Sequence, residues 1–459
     1  MLAKLEKIAY ILLCVLMVDC SIFGGGRLIS FGPITFRMMV LMLLLLCSIP
    51  IMLKNFKQIF TNKYFLSVIA FATCVLIMGG VGFVNNHRTH LILTDIKGFM
   101  YFIPVPAMIC LLNNKKRIHT LMKSMMYANV FAAIATIIFL FIYIRDASLF
   151  NEINGYLYTL QVTYAGGVSA TILRMFYRSA LYLLCGCAFS MYFYLNENKH
   201  FQYPLITGLC LFAILTTYTR SFYLATGITA IGIIIVAMAN RVKRKAVVHF
   251  FAKAVLAFGC LLIVIGGINR TNYLEFAITR TITTFPVGEQ GSENPNTSEG
   301  PNASETPGNS EQLDNSENDG VNEYIDATKE SDSYRQMTLQ GLWRNIKKSP
   351  VFGLGLGAEF VERPDGLNEY IYLDIWSKMG IVGLILFFMP VILAIVSFIK
   401  NRRNLINENI YVLFVFMVLM GFMSYSLFNP FMNASVGILY YSCVLAVVNC
   451  WEKSIIQEE

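Results

Sequence analysis

Charge is scarce in this 459-residue chain. Only 14% of its residues are Asp, Glu, Lys or Arg, while 56% are hydrophobic. An ordinary soluble domain carries about a quarter charged residues. With mean hydropathy at +0.58, a soluble enzyme, a fibrous protein and a disordered protein are all excluded. Histidine is rarer still, with five residues and none between 250 and 459. The 11 cysteines all lie in apolar runs and none falls between 268 and 370. A disulfide framework or zinc site in that polar stretch is therefore excluded, and the thiols read as small buried hydrophobes. The chain also lacks a Walker loop, HExxH and G-x-S-x-G. It has no basic-aromatic module of the kind that binds nucleic acid.

What it has in abundance is apolar runs long enough for a hydrocarbon layer of about 30 Å. They fall at 8–24, 34–53, 64–84, 97–112, 124–144, 178–195, 203–219, 222–240, 247–267, 376–399, 410–427 and 433–450. The expected fold is an all-α polytopic transmembrane helical bundle of about 12 spans. Mid-span charges read as nearly absent, with Asp19 and Lys253 near span ends. The first run starts with lysines, like a signal peptide, but no clean small-residue cleavage site follows, so it reads as retained.

Lys and Arg set the orientation. Lys54, Lys57 and Lys63, then Lys115, Lys116, Arg117 and Lys123, then Arg241 to Lys245, then Lys400, Arg402 and Arg403 all fall on one side. By the positive-inside rule that side is cytoplasmic, and so are both termini. One large loop between spans 9 and 10 is then extracytoplasmic. The chain divides into 1–267 (spans 1–9), 268–375 (the loop) and 376–459 (spans 10–12 with a cytoplasmic tail).

The net charge of +8 conceals two unlike parts. Residues 287–332 hold 12 acidic residues and one Lys, giving −11, which leaves +19 for the remainder. This acidic insert, rich in Ser, Asn, Pro and Gly, has too little apolar surface to fold and is expected to be disordered. Over 333–348, Leu339, Leu342, Trp343 and Ile346 recur at helical spacing among Arg335, Arg344, Lys347 and Lys348. An amphipathic helix is expected there, suited to a membrane surface. GLGLG at 353–357 lacks the strand-turn-helix setting of a nucleotide loop and reads as a tight turn.

Arginine on the outer side is the unusual signal, because the positive-inside rule depletes that face. Arg174 and Arg178, four apart at the start of span six, are expected to share a helical face. Arg220 lies in the short turn TYTRS, and Arg280 and Arg335 flank the acidic insert. Guanidinium stays charged and forks onto phosphate oxygens. Such a cluster suits a pyrophosphate at headgroup depth; the plain alternative is a set of snorkelling interface anchors. No metal or cofactor is called for.

The topology, together with TTYTRSFYLATG, YRQMTLQGLWRNIKKSPVFGLGLGAEF and LNEYIYLDIWSKMGIVGL, resembles the O-antigen ligase and O-antigen polymerase superfamily. GGGRLISFGPITFRMM is similar to bacterial polysaccharide polymerases. The family's ligases carry a His-Asn pair where Glu369-Tyr370 stands here. Glu369 is then the candidate general base, against the plain reading of a rim glutamate. His87 and His90 are weaker candidates for substrate contact.

The resemblance implies a metal-independent glycosyl transfer at the outer face of a bacterial cytoplasmic membrane. The donor would be a glycan on undecaprenyl pyrophosphate, whose leaving group Arg174, Arg178, Arg220 and Arg335, with Arg280 as a lesser member, would hold. Implied partners are lipid-linked glycans and membrane lipid, with a flippase and a chain-length regulator alongside. Repeat-unit polymerisation into O-antigen, capsule or exopolysaccharide is the preferred reading, because the histidine is missing. A ligase moving finished glycan to a lipid or protein is the alternative, and a flippase or transporter a further one.

Overall fold

The computed structural model describes residues 1–24, 30–31, 34–167, 172–197, 200–239, 244–269, 271–282, 317–360 and 369–458. The chain forms the expected all-α polytopic bundle. Its longer helices are α1 (Leu2–Phe23), α2 (Phe36–Lys54), α3 (Lys63–Val84), α4 (Thr89–Phe99), α5 (Val105–Leu111) and α6 (Lys115–Arg145). Next come α7 (Ala147–Thr159), α8 (Leu183–Asn196), α9 (Gln202–Leu215), α10 (Arg220–Ala239) and α11 (Arg244–Asn269). The remainder are α12 (Tyr273–Ile282), α13 (Glu317–Lys348), α14 (Ile371–Lys400), α15 (Ile410–Tyr425) and α16 (Ser435–Glu458). Two small antiparallel hairpins interrupt them: β1 (Ser30–Phe31) with β2 (Ile34–Thr35), and β3 (Thr163–Gly167) with β4 (Leu173–Tyr177).

Among the described residues eight helical segments are long and apolar enough to cross a membrane. Three shorter apolar helices (Ala180–Asn196, Gln202–Leu215 and Ile410–Tyr425) and α1 occupy the other four expected positions. One span is broken: Thr89–Leu111 consists of α4 and α5 joined at Pro104, whose ring cannot continue the helical ladder. Asn114 sets the start of α6, its side chain accepting from the Arg117 backbone N–H at 3.0 Å.

Burial sorts the helices. On α8 and α15 nearly every side chain is buried, whereas α2, α10 and α11 keep exposed apolar stripes suited to lipid. Buried tyrosines need a hydrogen-bond acceptor in such a core. Here they find helix carbonyls: Tyr182 donates to Val436 O (2.8 Å), Tyr440 to Val415 O (2.9 Å) and Tyr441 to Phe387 O (2.9 Å). Each bond ties one helix to another. Arg37, from the GPITFR element, is buried and binds Asp19 (2.8 Å), Gly24 O (2.8 Å) and Ser435 Oγ (3.2 Å). It joins α1, α2 and the start of α16.

The feature that shapes the site is a break in α14. Gly380 adopts φ +68° and ψ −176°, outside the helical region. Only glycine takes that conformation cheaply. The break uncouples backbone groups from their helical partners, and the 350–355 segment takes them over. Leu354 N–H donates to Ser377 O (2.9 Å) and Gly355 N–H to Lys378 O (3.0 Å), while Ile381 N–H donates to Pro350 O (3.0 Å). The other side of the loop docks on α3 and α4: Leu356 N–H donates to Met78 O (2.9 Å) and Gly357 N–H to Asp95 Oδ2 (2.8 Å). GLGLG is thus a tight turn, with φ positive at Gly353, Gly355 and Gly357.

The helix expected over 333–348 is the C-terminal half of α13. It buries Thr338, Gly341, Leu342, Asn345 and Ile346, and leaves Leu339 and Trp343 exposed. Asn345 Nδ2 donates to Glu359 O at 3.2 Å, fastening α13 to the loop. The unfolded insert expected over 287–332 is outside the described residues as far as 316, and α13 begins at Glu317.

Two expectations follow. A Cβ on Gly82 would sit 2.2 Å from Leu356 O, whereas one on Gly80 meets nothing within 4 Å. Gly82→Ala should lower stability by about 1–3 kcal/mol, and Gly80→Ala should be neutral or raise it by up to about 1 kcal/mol. Thermal unfolding of the two variants in one detergent checks this; equal effects would contradict the docking of the loop. The second concerns Arg88, whose guanidinium forks onto Glu359 and holds that carboxyl below its ordinary range. A lowered folded-state value contributes stability above the unfolded value and loses it as pH falls through the folded one. Hydrogen exchange at 353–360 should accelerate below about pH 4, and Arg88→Ala should remove that pH step.

Candidate functional site

A cavity of about 630 Å³ opens where β4, α4, α13, α14 and the 429–436 segment meet. That size is ordinary for a small-molecule site, about 300–1,000 Å³. Three of the arginines singled out above line it: Arg174, Arg178 and Arg335. Arg174 and Arg178 come from β4 and its end and Arg335 from α13, and the fold brings them together.

Arg174 is on strand β4 and not on a helix, which corrects the helical-face expectation. Its backbone pairs with Gly166 across the hairpin. Side chains alternate along a strand, so residues two and four apart share a face. Leu173, Met175 and Tyr177 are buried, while Arg174 and Phe176 lie on the other face and, with Arg178, line the cavity. The i, i+4 spacing therefore placed both arginines on one face for a different reason. Among the described residues Arg174 Nε, which is buried, has no hydrogen-bond partner. Such a donor is costly to leave unpaired.

Arg335 projects from α13 and forms an ion pair with Glu369, Nε to Oε2 at 2.8 Å. Arg174, Arg335 and Glu369 all lie within electrostatic reach of the Tyr425 phenol, which also lines the cavity. Glu369 flanks the cavity through Arg335 and does not line it. Arg220 opens α10 between Thr219, a lining residue, and Ser221, whose hydroxyl accepts from lining Asn429 at 2.7 Å. Arg220 itself does not line the cavity. The Arg280 side chain is outside the described residues. His87 and His90 do not line it either; His87 Nδ1 bonds Leu356 O at 2.8 Å and braces the GLGLG turn.

The structure adds residues the sequence reading passed over. Lys378 is almost completely buried, held between Asp95 Oδ1 (2.9 Å) and Asp374 Oδ2 (3.0 Å). All three line the cavity. These charges lie near the starts of their helices, on the N-terminal side of the Gly380 break in α14 and in the first turns of α4. The apolar windows began at 97 and 376, while the helices begin at Thr89 and Ile371. The available signal was an ionisable residue beside a span, which marks a functional position by default. Among the described residues no group of three or more His, Cys, Asp or Glu side chains is set to hold a metal ion.

Chemically, the cavity offers fixed cations, a carboxylate paired to one of them, and a second wall of carboxylate and amide groups. Comparison with curated proteins and with solved structures returns no match. Residues 205–388 match the family model described as O-antigen ligase. That stretch runs from α9 into α14 and includes Arg220, Arg335, Glu369, Asp374 and Lys378. Over that stretch the chain is similar to the O-antigen ligase family, which supports a membrane glycan-processing enzyme of the ligase and polymerase kind, and its long apolar helices are those of a multi-pass membrane protein.

Proposed function

We propose that this protein polymerises lipid-linked oligosaccharide repeat units into O-antigen, capsule or exopolysaccharide at the outer face of the cytoplasmic membrane. The observation that carries the reading is the convergence of Arg174, Arg178 and Arg335 on one cavity, with no hydrogen-bond partner for the Arg174 Nε among the described residues. Excess fixed cation at the rim of an apolar bundle calls for an anionic ligand. A diphosphate between a glycan and a polyprenyl chain has that charge and suits that depth. The Lys and Arg distribution supports the cavity facing outward, with both termini cytoplasmic.

The transfer balances without metal or cofactor. The acceptor's hydroxyl oxygen attacks the donor's anomeric carbon, the bond from that carbon to the diphosphate oxygen breaks, and the electron pair leaves with the diphosphate. Arginines fixed beforehand stabilise the charge that develops there, an effect of about 2.7–4 kcal/mol for one well-placed donor. The hydroxyl proton passes to Glu369. In the present arrangement Arg335 holds that carboxylate. A donor diphosphate that engages Arg335 would compete for that pair and free the Glu369 carboxylate to accept from the acceptor hydroxyl. Arg220, one residue from the lining, supports the same anion.

Polymerisation is favoured over ligation because no histidine occurs between 250 and 459, where the family's ligases place one. The family description favours the ligase reading, and Lys378 buried within a span favours a flippase. What a deletion strain accumulates separates the three. The polymerase reading expects a single repeat unit on its outward-facing lipid; long lipid-linked chains would indicate a ligase, and inward-facing repeat units a flippase.

Within the polymerase, Arg220→Ala and Arg335→Ala should each abolish polymer at unchanged protein level, and full activity of either would remove it from the clamp. Glu369→Gln should slow turnover of purified enzyme about 10²–10⁴-fold with little change in donor KM. A raised donor KM at unchanged kcat would make Glu369 only the anchor of Arg335.

A further inference from the structure

We propose that the Lys378–Asp95–Asp374 wall of the cavity is a subsite for the acceptor sugar, selective for an uncharged sugar over an acidic one. The proposal rests on the reading of the cavity as a glycosyl-transfer site and adds what the second substrate must be.

Lys378 brings one positive charge to two carboxylates, leaving the trio at −1 when all are ionised. Replacing buried ion pairs by apolar side chains is often neutral or stabilising, by up to about 4 kcal/mol. Packing alone therefore gives little reason for three ionisable groups between two membrane helices. What the trio does supply is fixed hydrogen-bond acceptors in the cavity wall. A carboxylate has about four acceptor positions. On Asp95, Lys378 Nζ takes one at Oδ1 and Gly357 N–H one at Oδ2, at 2.9 and 2.8 Å. Asn433, Phe99 and Phe431 line the same cavity.

Acceptors that take hydroxyl hydrogens, an amide that donates and accepts, and aromatic faces for ring C–H groups together describe a sugar. They do not describe a second diphosphate. A phosphate or a uronic carboxylate would meet like charge at short range, where a partly buried site screens it poorly. The arginines on β4 and α13 serve the donor; the acid wall on α4 and α14 serves the acceptor. The wall is also rigid. Lys378 O receives Gly355 N–H at the helix break, so the loop that Asp95 holds also braces the residue that orients both acids.

The test uses the full chain in nanodiscs and two probe sets. Saturation-transfer NMR is recorded with the methyl glycosides of glucose, galactose, N-acetylglucosamine and glucuronic acid. Phosphorus line broadening is recorded with inorganic pyrophosphate. At least one neutral glycoside should bind at least about tenfold more tightly than the glucuronide, a difference of about 1.4 kcal/mol. Asp95→Asn and Asn433→Ala should each abolish the glycoside signal and leave the pyrophosphate response, while Arg174→Ala should do the reverse. Should Asp95→Asn fail to fold, Asn433→Ala carries the test alone. Pyrophosphate binding with no glycoside signal, a glucuronide bound as well as the neutral sugars, or glycoside signals surviving the substitutions would each overturn the subsite. Glycoside binding without any pyrophosphate response would instead overturn the diphosphate reading and leave the subsite standing.

Discussion

The site depends on the break in α14 at Gly380. A continuous helix would spend the carbonyls of Ser377 and Lys378 on its own ladder. Broken, it gives them to Leu354 and Gly355, and the turn that follows is drawn in between α3, α4 and α14. A Cβ on Gly380 would come within 2.0 Å of Val351 O, and one on Gly355 within 2.6 Å of Gly82 N. The glycine pattern is therefore a requirement of backbone approach. α13 is fastened to that turn through Asn345, and α13 carries Arg335. A local conformational choice at one residue so decides where a cation stands at the mouth of the bundle.

The charges obey one rule with two outcomes. In a low-dielectric bundle an ionised group must be paired or must face a polar ligand. Arg37 with Asp19, and Lys378 with two aspartates, take the first course. Arg174 lines the cavity beside two further arginines, and among the described residues its Nε has no hydrogen-bond partner. In the proposed function Arg37 and Lys378 hold the protein together, whereas Arg174 meets the substrate anion.

Much of this was legible in the sequence. Spans declare themselves by apolar length, and all twelve expected positions are occupied by helix. The arginines stood out because they lie on the face where basic residues are rare. The hairpin that bears Arg174 was not legible, since LRMFYR has no turn residue and runs into an apolar helix. Its i, i+4 spacing fits a strand face as well as a helix face. Asp95 and Asp374 were missed because hydropathy windows begin where charge ends and the helices begin earlier, whereas Lys378 lies just inside the apolar run at 376–399, near its start. No pattern in one sequence shows that residues 95 and 378 meet.

In the proposed function everything rests on the arginine cavity holding a lipid diphosphate. Native mass spectrometry of the purified protein with undecaprenyl diphosphate and undecaprenyl monophosphate tests it most directly. The account predicts that the diphosphate binds at least about tenfold more tightly and that Arg174→Ala erases the preference. Equal affinity for the two lipids, or a preference that persists in the variant, would contradict it.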